Sequence, residues 1–562
     1  MNVLCHGPAW HPFSPPDTFL ELYRGPHDIR RLGIDPAARY RYDPLQHTAP
    51  EVIGRIAAEW APDLLICWFP EDHPPPRRIE DAPVRTVAIP TDWNVNYPRA
   101  AVNLSRYDAV LCDRPGVAVL AGNGIAPQYR FPLYSHISTI HRPRPVDKDI
   151  DILYVGSWNY ARNYRRAVFL ERLAKLSGGY RVLITSSPPG TEYAELLCRA
   201  RIVFNHSVRG ELNLRVFETM ACGALAFLED SNQGVQGWFE DGRDIVLYNA
   251  DNLEDRVHHY LSHPDEAWAL AKRAQAHVAA FAGERRFDEL IEWAGAQPPG
   301  VRTFRSLPAE ERDYQDALLF GCQGRPEYHR LREVLLAGLT ERCPKDPRVW
   351  TALGVYFTDP TNTMGTAHER QRRCVTALAR AHQLDPASAP YAFNLATACR
   401  DAALPGPAAD ALRCAIEADS MAGAELVMGA HLDLFWQRWQ QALTQRRPCL
   451  DALKAEAHVR LAHLEAQEGL LDSADARLAR AAELDPDTPN RTRLQAEVWW
   501  AMGRKADAAA LLQDGLGGYP FDFERRRRLC EMLSELGRRG ESRILAEETL
   551  RIVNACDRGQ DG

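Results

Sequence analysis

Three glycines near the C-terminus, Gly469, Gly503 and Gly537, stand 34 residues apart, and the same interval separates Ala474 from Ala508, Leu478 from Leu512 and Pro486 from Pro520. A fixed period of this length fits one helical hairpin per repeat. The small residues let paired helices approach, the leucines fill the seam between them, and the proline stops each unit. The step from Pro386 to Ser420 is again 34, with Ala408, Leu412 and Ala415 at the corresponding small and apolar positions. Between residues 421 and 454 the register breaks, and FWQRWQQAL (435–443) reads as an irregular helical insert.

The period resembles that of the tetratricopeptide repeat. WTALG at 350–354 is similar to the opening signature of that repeat, and LARAHQLDP at 378–386 to its second helix. The segment AQPPGVRTFRSLP (296–308) marks the boundary, because strand-like runs stop there and Ala-, Leu- and Arg-rich helices take over. Residues 306–562 are therefore expected to form an α-solenoid.

Upstream the pattern is different. MNVLCHG, PDLLICWF, VRTVAIP and YDAVLCD are short apolar runs ending at loops, and EVIGRIAAEW has helical spacing. This alternation predicts a parallel sheet with crossover helices over residues 1–145. The proline-rich HRPRPV (141–146) then precedes a fresh start at DIDILYVGSW. RVLITS, ARIVFNH and DIVLYN supply further strands, VFETMA a helix, and a long helix begins near Leu253. Residues 146–305 are thus expected to be a second Rossmann-like unit, with a ligand cleft outside the carboxyl ends of the strands.

Composition narrows the function. With 45% hydrophobic and 25% charged residues, a 562-residue chain of net charge -8 reads as an ordinary globular protein, not as a nucleic-acid or anionic-membrane binder. No basic leader with an apolar core opens the sequence and no run of 18 apolar residues follows, so a cytoplasmic protein without a transmembrane segment is expected. The 13 cysteines are scattered with no C-x-x-C pair, a pattern of packed thiols. Asp149-Ile150-Asp151 opens a strand and Asp485-Pro486-Asp487 closes a repeat helix, so neither reads as a metal loop.

Residues 209–227, RGELNLRVFETMACGALAF, crowd two carboxylates and two arginines before a run of small and apolar residues. Its helix follows the strand ARIVFNH and a loop, so its N-terminus should point into the cleft and offer unpaired N–H groups to a phosphate. The stretch resembles the GT-B glycosyltransferases, especially the group-1 C-terminal domain and its CgeB-like branch. In the wider family a Glu-x7-Glu motif stands here, and its second Glu binds the nucleotide ribose. Glu218 matches that second position. Gly210 stands where the first Glu would be, with Glu211 one residue later, and Arg215 matches the Arg that CgeB-like sequences place three residues before the second Glu.

A second match lies in YVGSWNYARNYRRAVFLERL, residues 154–173. GT-B enzymes have a Gly-Arg pair and a later Lys at this turn, facing the donor diphosphate. Here Gly156 allows close backbone approach, Ser157 replaces the first cation and Arg162 takes the later cationic position. The resemblance therefore implies Gly156, Arg162, Arg215 and Glu218 as donor-binding residues, with Asn213 beside them. Arg165, Arg166, Arg209 and His206 are open to either a site or a surface role. The first-unit loops CHGPAWH and PTDWNVNYP nominate His6, His11 and Asp92 as acid–base groups.

The fold class implied is α/β plus all-α: a GT-B pair of Rossmann-like domains followed by a tetratricopeptide-like solenoid. The activity implied is transfer of a sugar from a nucleoside diphosphate sugar, a UDP-sugar by preference, to an acceptor hydroxyl, with no metal and no further cofactor. The repeats imply a protein acceptor or partner, flagellin being one by analogy with other transferases that carry such repeats. A non-catalytic nucleotide-sugar-binding scaffold and a nucleotide-sugar epimerase are the alternatives. Cutting the chain near residues 300–308 is expected to leave a soluble, nucleotide-binding α/β unit.

Overall fold

Leu64 to Trp68 is apolar at every position and buried throughout, as a strand covered on both faces must be. In the computed structural model it is the central strand of a seven-stranded parallel sheet. The structure describes residues 1–562 except 8–22, 37, 72, 92, 94–96, 122–124, 126, 129–134, 158–163, 187, 189, 322–325, 360–361, 363–364, 429–447, 489 and 558–562. The expected insert at 435–443 thus lies outside the described residues.

The strands of the first sheet are β1 (Asn2–His6), β2 (Asp28–Gly33), β3 (Tyr40–Arg41), β4 (Leu64–Trp68), β5 (Arg85–Ile89), β6 (Ala109–Leu111) and β7 (Pro127–Gln128). Their order, β3-β2-β1-β4-β5-β6-β7, reverses direction between β1 and β4, the switch point of a doubly wound sheet. Helix α1 (Ala49–Ala57) begins where Thr48 and Glu51 form a reciprocal capping box. Helices α2 (Tyr97–Leu104) and α3 (Arg114–Ala121) complete the unit. The sequence pattern missed β2, because DIRRLG carries charges at an outer strand position.

The second sheet has β8 (Ile150–Val155), β9 (Val182–Thr185), β10 (Ala200–Phe204), β11 (Leu225–Glu229), β12 (Val246–Tyr248) and β13 (Cys556–Asp557), in the order β12-β11-β10-β8-β9-β13. Its switch point lies between β8 and β10. Helices α4 (Tyr164–Lys175), α5 (Gly190–Arg199), α6 (Leu214–Ala221), α7 (Leu253–Ser262) and α8 (Pro264–Val278) pack around it. Strand β11 was hidden in MACGALAF because its apolar run is continuous with α6. Gly223, at φ +77, ends the helix and turns the chain into the strand. Helix α9 (Gly283–Ala296) then returns to the first sheet, where Phe287, Ile291 and Trp293 share a core with Val3, Ile66 and Val87.

The remaining helices pair as hairpins: α10 (Ala309–Leu319) with α11 (Pro326–Arg342), α12 (Pro347–Thr358) with α13 (Ala367–Leu384), and α14 (Ala389–Asp401) with α15 (Pro405–Glu417). Then α16 (Pro448–Gln467) pairs with α17 (Leu471–Leu484), α18 (Arg491–Ala501) with α19 (Lys505–Asp514), and α20 (Phe523–Glu535) with α21 (Arg539–Ala555). Gly469, Gly503 and Gly537 sit between paired helices at φ +78, +86 and +78, so the 34-residue recurrence marks a left-handed turn. Ala403 takes the same turn at φ 55. Ala474, Leu478, Ala508 and Leu512 are wholly buried in the seams. No helix among the described residues is long and apolar enough to cross a membrane.

The solenoid is fastened to both sheets. At its start, buried Arg106 of the first unit pairs with Glu80 at 3.0 Å and with Asp316 of α10 at 2.7 Å. Tyr42 and Tyr328 of α11 both donate to the carbonyl of Pro74. At its end, buried Glu171 of α4 accepts from Arg526 and from the Phe521 backbone, each at 2.6 Å. Phe521, Ile552, Ala555 and Cys556 join the second sheet's core, and β13 hydrogen-bonds to β9. This corrects the expectation for a cut near residues 300–308. Such a cut strips apolar cover from Leu170, Val182 and Ile184 and leaves β9 as a bare edge.

Candidate active site

Strand β8 delivers Gly156 to the switch point with φ +141, and a Cβ there would lie 2.5 Å from Nη2 of Arg215. Only glycine allows a guanidinium so close to that backbone. Buried Arg166 fixes the same turn, donating to the carbonyl of His206 at 2.7 Å, the Tyr154 hydroxyl at 3.1 Å and the carbonyl of Ser157 at 3.3 Å. Arg166 is thus a support of the turn, while Arg165 is exposed.

Strand β10 ends at Phe204, and Asn205 follows it across the switch point from Gly156. Its Oδ1 accepts from Nη1 of Arg215 at 2.7 Å and from Nδ2 of Asn213 at 3.1 Å. The Arg215 guanidinium lies 4.8 Å above the Tyr154 ring. Asn213 is the N-cap of α6 by backbone geometry, yet its side chain makes no capping hydrogen bond. The solenoid shows the contrast: Asp346, Thr366, Ser388 and Asp522 each cap their helix with a side-chain oxygen. Asn213 instead turns its side chain to Asn205, so no side-chain cap covers the start of α6.

Three polar atoms in this cluster are buried without a hydrogen-bond partner among the described residues: Nε of Arg215, Nδ2 of Asn205 and Oδ1 of Asn213. Stranding such groups costs about 1–3 kcal/mol each. Two are donors, and they adjoin a helix N-terminus, so an anion satisfies them together.

Behind Arg215, Glu218 is 4% exposed. Its Oε2 accepts from the Tyr193 hydroxyl at 2.8 Å, and its Oε1 lies 3.6 Å from Nε2 of His141. Burial pushes its carboxyl up to about 7, against the opposing pull of Tyr193 and Arg215. Glu211 is used differently: its carboxylate accepts from the backbone N–H groups of Val208 and Arg209 at 3.3 and 2.9 Å, holding its own loop. The neighbouring Glu229 also braces this loop, accepting from Ser207 and from Asn232.

The loop so braced sends Arg209 across the cleft. Its Nε donates to Asp113 of the first unit at 2.7 Å, its Nη2 donates to the carbonyl of Thr91, and its guanidinium lies 5.4 Å from the Trp93 ring. Asp92, between those two residues, lies outside the described residues, as do His11 and Arg162. His6 is buried with Nε2 3.0 Å from the Tyr42 hydroxyl, and burial with repulsion from His73 and Arg31 pushes it down to about 3. His206 is likewise pushed down to about 3 by burial and by Arg166 and Arg165, beside the Tyr248 hydroxyl. Both are neutral packing groups.

Of the residues read from sequence, the structure brings Gly156, Asn213 and Arg215 into contact around one point, with Glu218 behind them. Asn205, Tyr154, Tyr193 and His141 were missed. Asn205 carried a signal, being the first polar residue after a strand at the switch point; the other three reach the site only through the tertiary fold.

Residues 162–292 match the family model described as glycosyl transferase-like, a span that takes in α4 to α8 and ends in α9. No curated protein matches the chain. Among solved structures, sucrose-phosphate synthase from Thermosynechococcus elongatus matches at 12% identity over 52% of this chain and 98% of that one, with a TM-score of 0.37. The pneumococcal O-GlcNAc transferase GtfA, solved with UDP and GlcNAc, matches at 10% identity over 42% and 57%, with a TM-score of 0.29. MamA matches at 14% identity over 40% and 95%, with a TM-score of 0.25. Residues 162–292 of the second α/β unit thus resemble a glycosyl transferase-like domain, and the chain joins two doubly wound parallel sheets to a stack of helical hairpins.

Proposed function

We propose that the chain transfers a sugar from a nucleoside diphosphate sugar, a UDP-sugar by preference, to an acceptor hydroxyl. The observation that carries this reading is the set of unsatisfied polar atoms on Arg215, Asn205 and Asn213 around Gly156. A diphosphate supplies the anionic oxygens that the two donors, Nε of Arg215 and Nδ2 of Asn205, lack. Bound there, its charge is met by the Arg215 fork and by the α6 N–H groups, and Arg162 is assigned to the same diphosphate. Preorganised donors of this kind favour the leaving nucleoside diphosphate as the sugar–oxygen bond breaks, so no metal ion is required. Glu218 is assigned to the ribose hydroxyls. Asp92 and His11 are the groups proposed to take the acceptor's proton, and Arg209 grips the backbone beside Asp92.

The acceptor reading rests on where the solenoid begins. Hairpin α10–α11 packs against the loops at the carboxyl edge of the first sheet, where Ile34 and Leu45 join its core. A protein held by the repeats is thereby presented to the acceptor side of the cleft, and a flagellin-like protein is one such substrate.

The test is a titration with UDP and GDP, followed by incubation with radiolabelled UDP-sugars and cell-extract proteins, with and without a chelator. Label transferred to protein in both conditions is the expected result. Nucleotide binding with no transfer or hydrolysis under any condition would establish the scaffold alternative, and a changed free sugar nucleotide the epimerase.

A further inference from the structure

The linker between the two sheets brings an unanticipated residue to the donor site. The His141 ring is buried and meets the Tyr193 ring edge-on, with centroids 6.0 Å apart. Its Nδ1 accepts from the Ile137 backbone N–H at 3.1 Å, so the neutral ring carries its proton on Nε2. That Nε2 faces Oε1 of Glu218 at 3.6 Å, while the Tyr193 hydroxyl donates to Oε2 at 2.8 Å. One carboxylate is therefore hydrogen-bonded by Tyr193 of α5 and faced, beyond hydrogen-bond distance, by the Nε2–H of the linker's His141.

We propose that His141 and Tyr193 are positioning residues that hold the Glu218 carboxylate ionised and in one orientation, so that capture of the donor ribose is switched by a single proton on Glu218. The proposal rests on the assignment of Glu218 to the ribose. Its physical basis is a competition. Burial disfavours the charged carboxylate, and hydrogen bonds to the charged form oppose burial. Among the described residues, the groups that face Glu218 are Tyr193 from α5, His141 from the linker, Arg215 from its own helix and Cys222 just past that helix; Arg144 acts on Cys222. Burial places the carboxyl's titration near neutrality, at about 7. An ionised carboxylate accepts from both ribose hydroxyls, whereas a protonated one loses an acceptor and presents a donor.

The sign follows. Donor affinity rises with pH through about 7 as Glu218 ionises. Tyr193→Phe removes a hydrogen bond to the charged form and His141→Leu removes an N–H dipole facing it, so in each the carboxyl titrates higher, less so in His141→Leu, and affinity appears only at higher pH. The expected displacement is about one pH unit or more, or roughly tenfold weaker binding at neutral pH. His141→Gln retains a side-chain N–H and restores the midpoint toward that of the wild type.

The measurement is the dissociation constant of UDP-glucose and of GDP-mannose on the full chain across roughly pH 5.5–8.5, where their diester diphosphates do not titrate. Thermal melting confirms that each variant is folded. The expected result is a rising affinity in the wild type, a weak and flat profile in Glu218→Gln, and upward-shifted midpoints in Tyr193→Phe and His141→Leu. If Glu218→Gln binds like the wild type at every pH, the ribose assignment itself fails. If Glu218→Gln is weak and flat while the other two variants keep the wild-type midpoint, the assignment stands and the positioning role is overturned. A flat wild-type profile overturns the proton switch directly.

Discussion

Gly7 and Gly156 stand one residue beyond the first strands of their sheets, at equivalent switch points, and meet opposite surroundings. A Cβ on Gly7 would lie 3.0 Å from Cβ of Trp68, so this glycine admits an aromatic side chain. The neighbouring His6 is neutral and turned to Tyr42, whose hydroxyl shares the Pro74 carbonyl with Tyr328 of the solenoid. Gly156 instead admits a guanidinium, surrounded by polar atoms without partners. The solenoid accounts for part of the contrast. It docks on the loops past β2, β3 and β4 of the first sheet, on α2 and on the turn before β6, but on β9 and the outer helix α4 of the second. Among the described residues, Trp68, His6 and Tyr42 pack at the first switch point, and the second carries the unpartnered polar atoms to which we assign the donor.

That contrast is most severely tested by removing the solenoid. Deleting residues 309–562 is expected to abolish soluble folded protein, read by size-exclusion chromatography. A monomeric truncation with wild-type nucleotide affinity would show that the second sheet needs no such cover. Arg526→Ala is the milder form, because it leaves buried Glu171 with only the partly exposed Lys175 at 3.6 Å as an ion-pair partner; a loss of about 3 kcal/mol is expected in denaturant unfolding.

Next in size is Arg215→Ala. Loss of a charge-assisted contact of about 1.5–3 kcal/mol weakens UDP and GDP binding roughly ten- to a hundredfold by calorimetry. Arg215→Lys should fall between, since it keeps charge without the fork. His6→Ala, at the other switch point, should leave nucleotide affinity unchanged, and a comparable loss there would erase the distinction between the two sheets.

Gly156→Ala and Gly7→Ala sharpen it further. Each introduces a close contact and should cost about 1–3 kcal/mol of stability, visible as a lower Tm. Only Gly156→Ala should also weaken nucleotide binding, because its new methyl displaces Arg215.

The smallest effect is expected at the cleft. Arg209→Ala removes the partly buried pair with Asp113, worth about 1 kcal/mol. It should raise the KM for transfer several-fold while leaving UDP affinity intact. Equal losses in both would place Arg209 on the nucleotide and not across the cleft.

Much of this was readable in sequence because it is local. The apolar runs around Leu64 and Ile152 forecast buried parallel strands, and VFETMACG forecast α6 with Arg215 and Glu218 on it. The 34-residue recurrence forecast the hairpins, since the left-handed turn at Gly469, Gly503 and Gly537 repeats within each unit. Strand β11 was lost where its apolar run joined a helix.

What the tertiary structure alone decided are pairings between residues distant in the chain. Arg209 meets Asp113 across 96 residues, and Arg526 meets Glu171 across 355. Tyr193 and His141 gained a role only when α5 and the linker closed over Glu218, and Cys556 became a strand residue only when the solenoid returned to β9. A local period records which face of a helix or strand is apolar. It carries no record of how far a stack of hairpins curves, nor of which sheet edge it reaches, because those follow from the sum of many small packing angles.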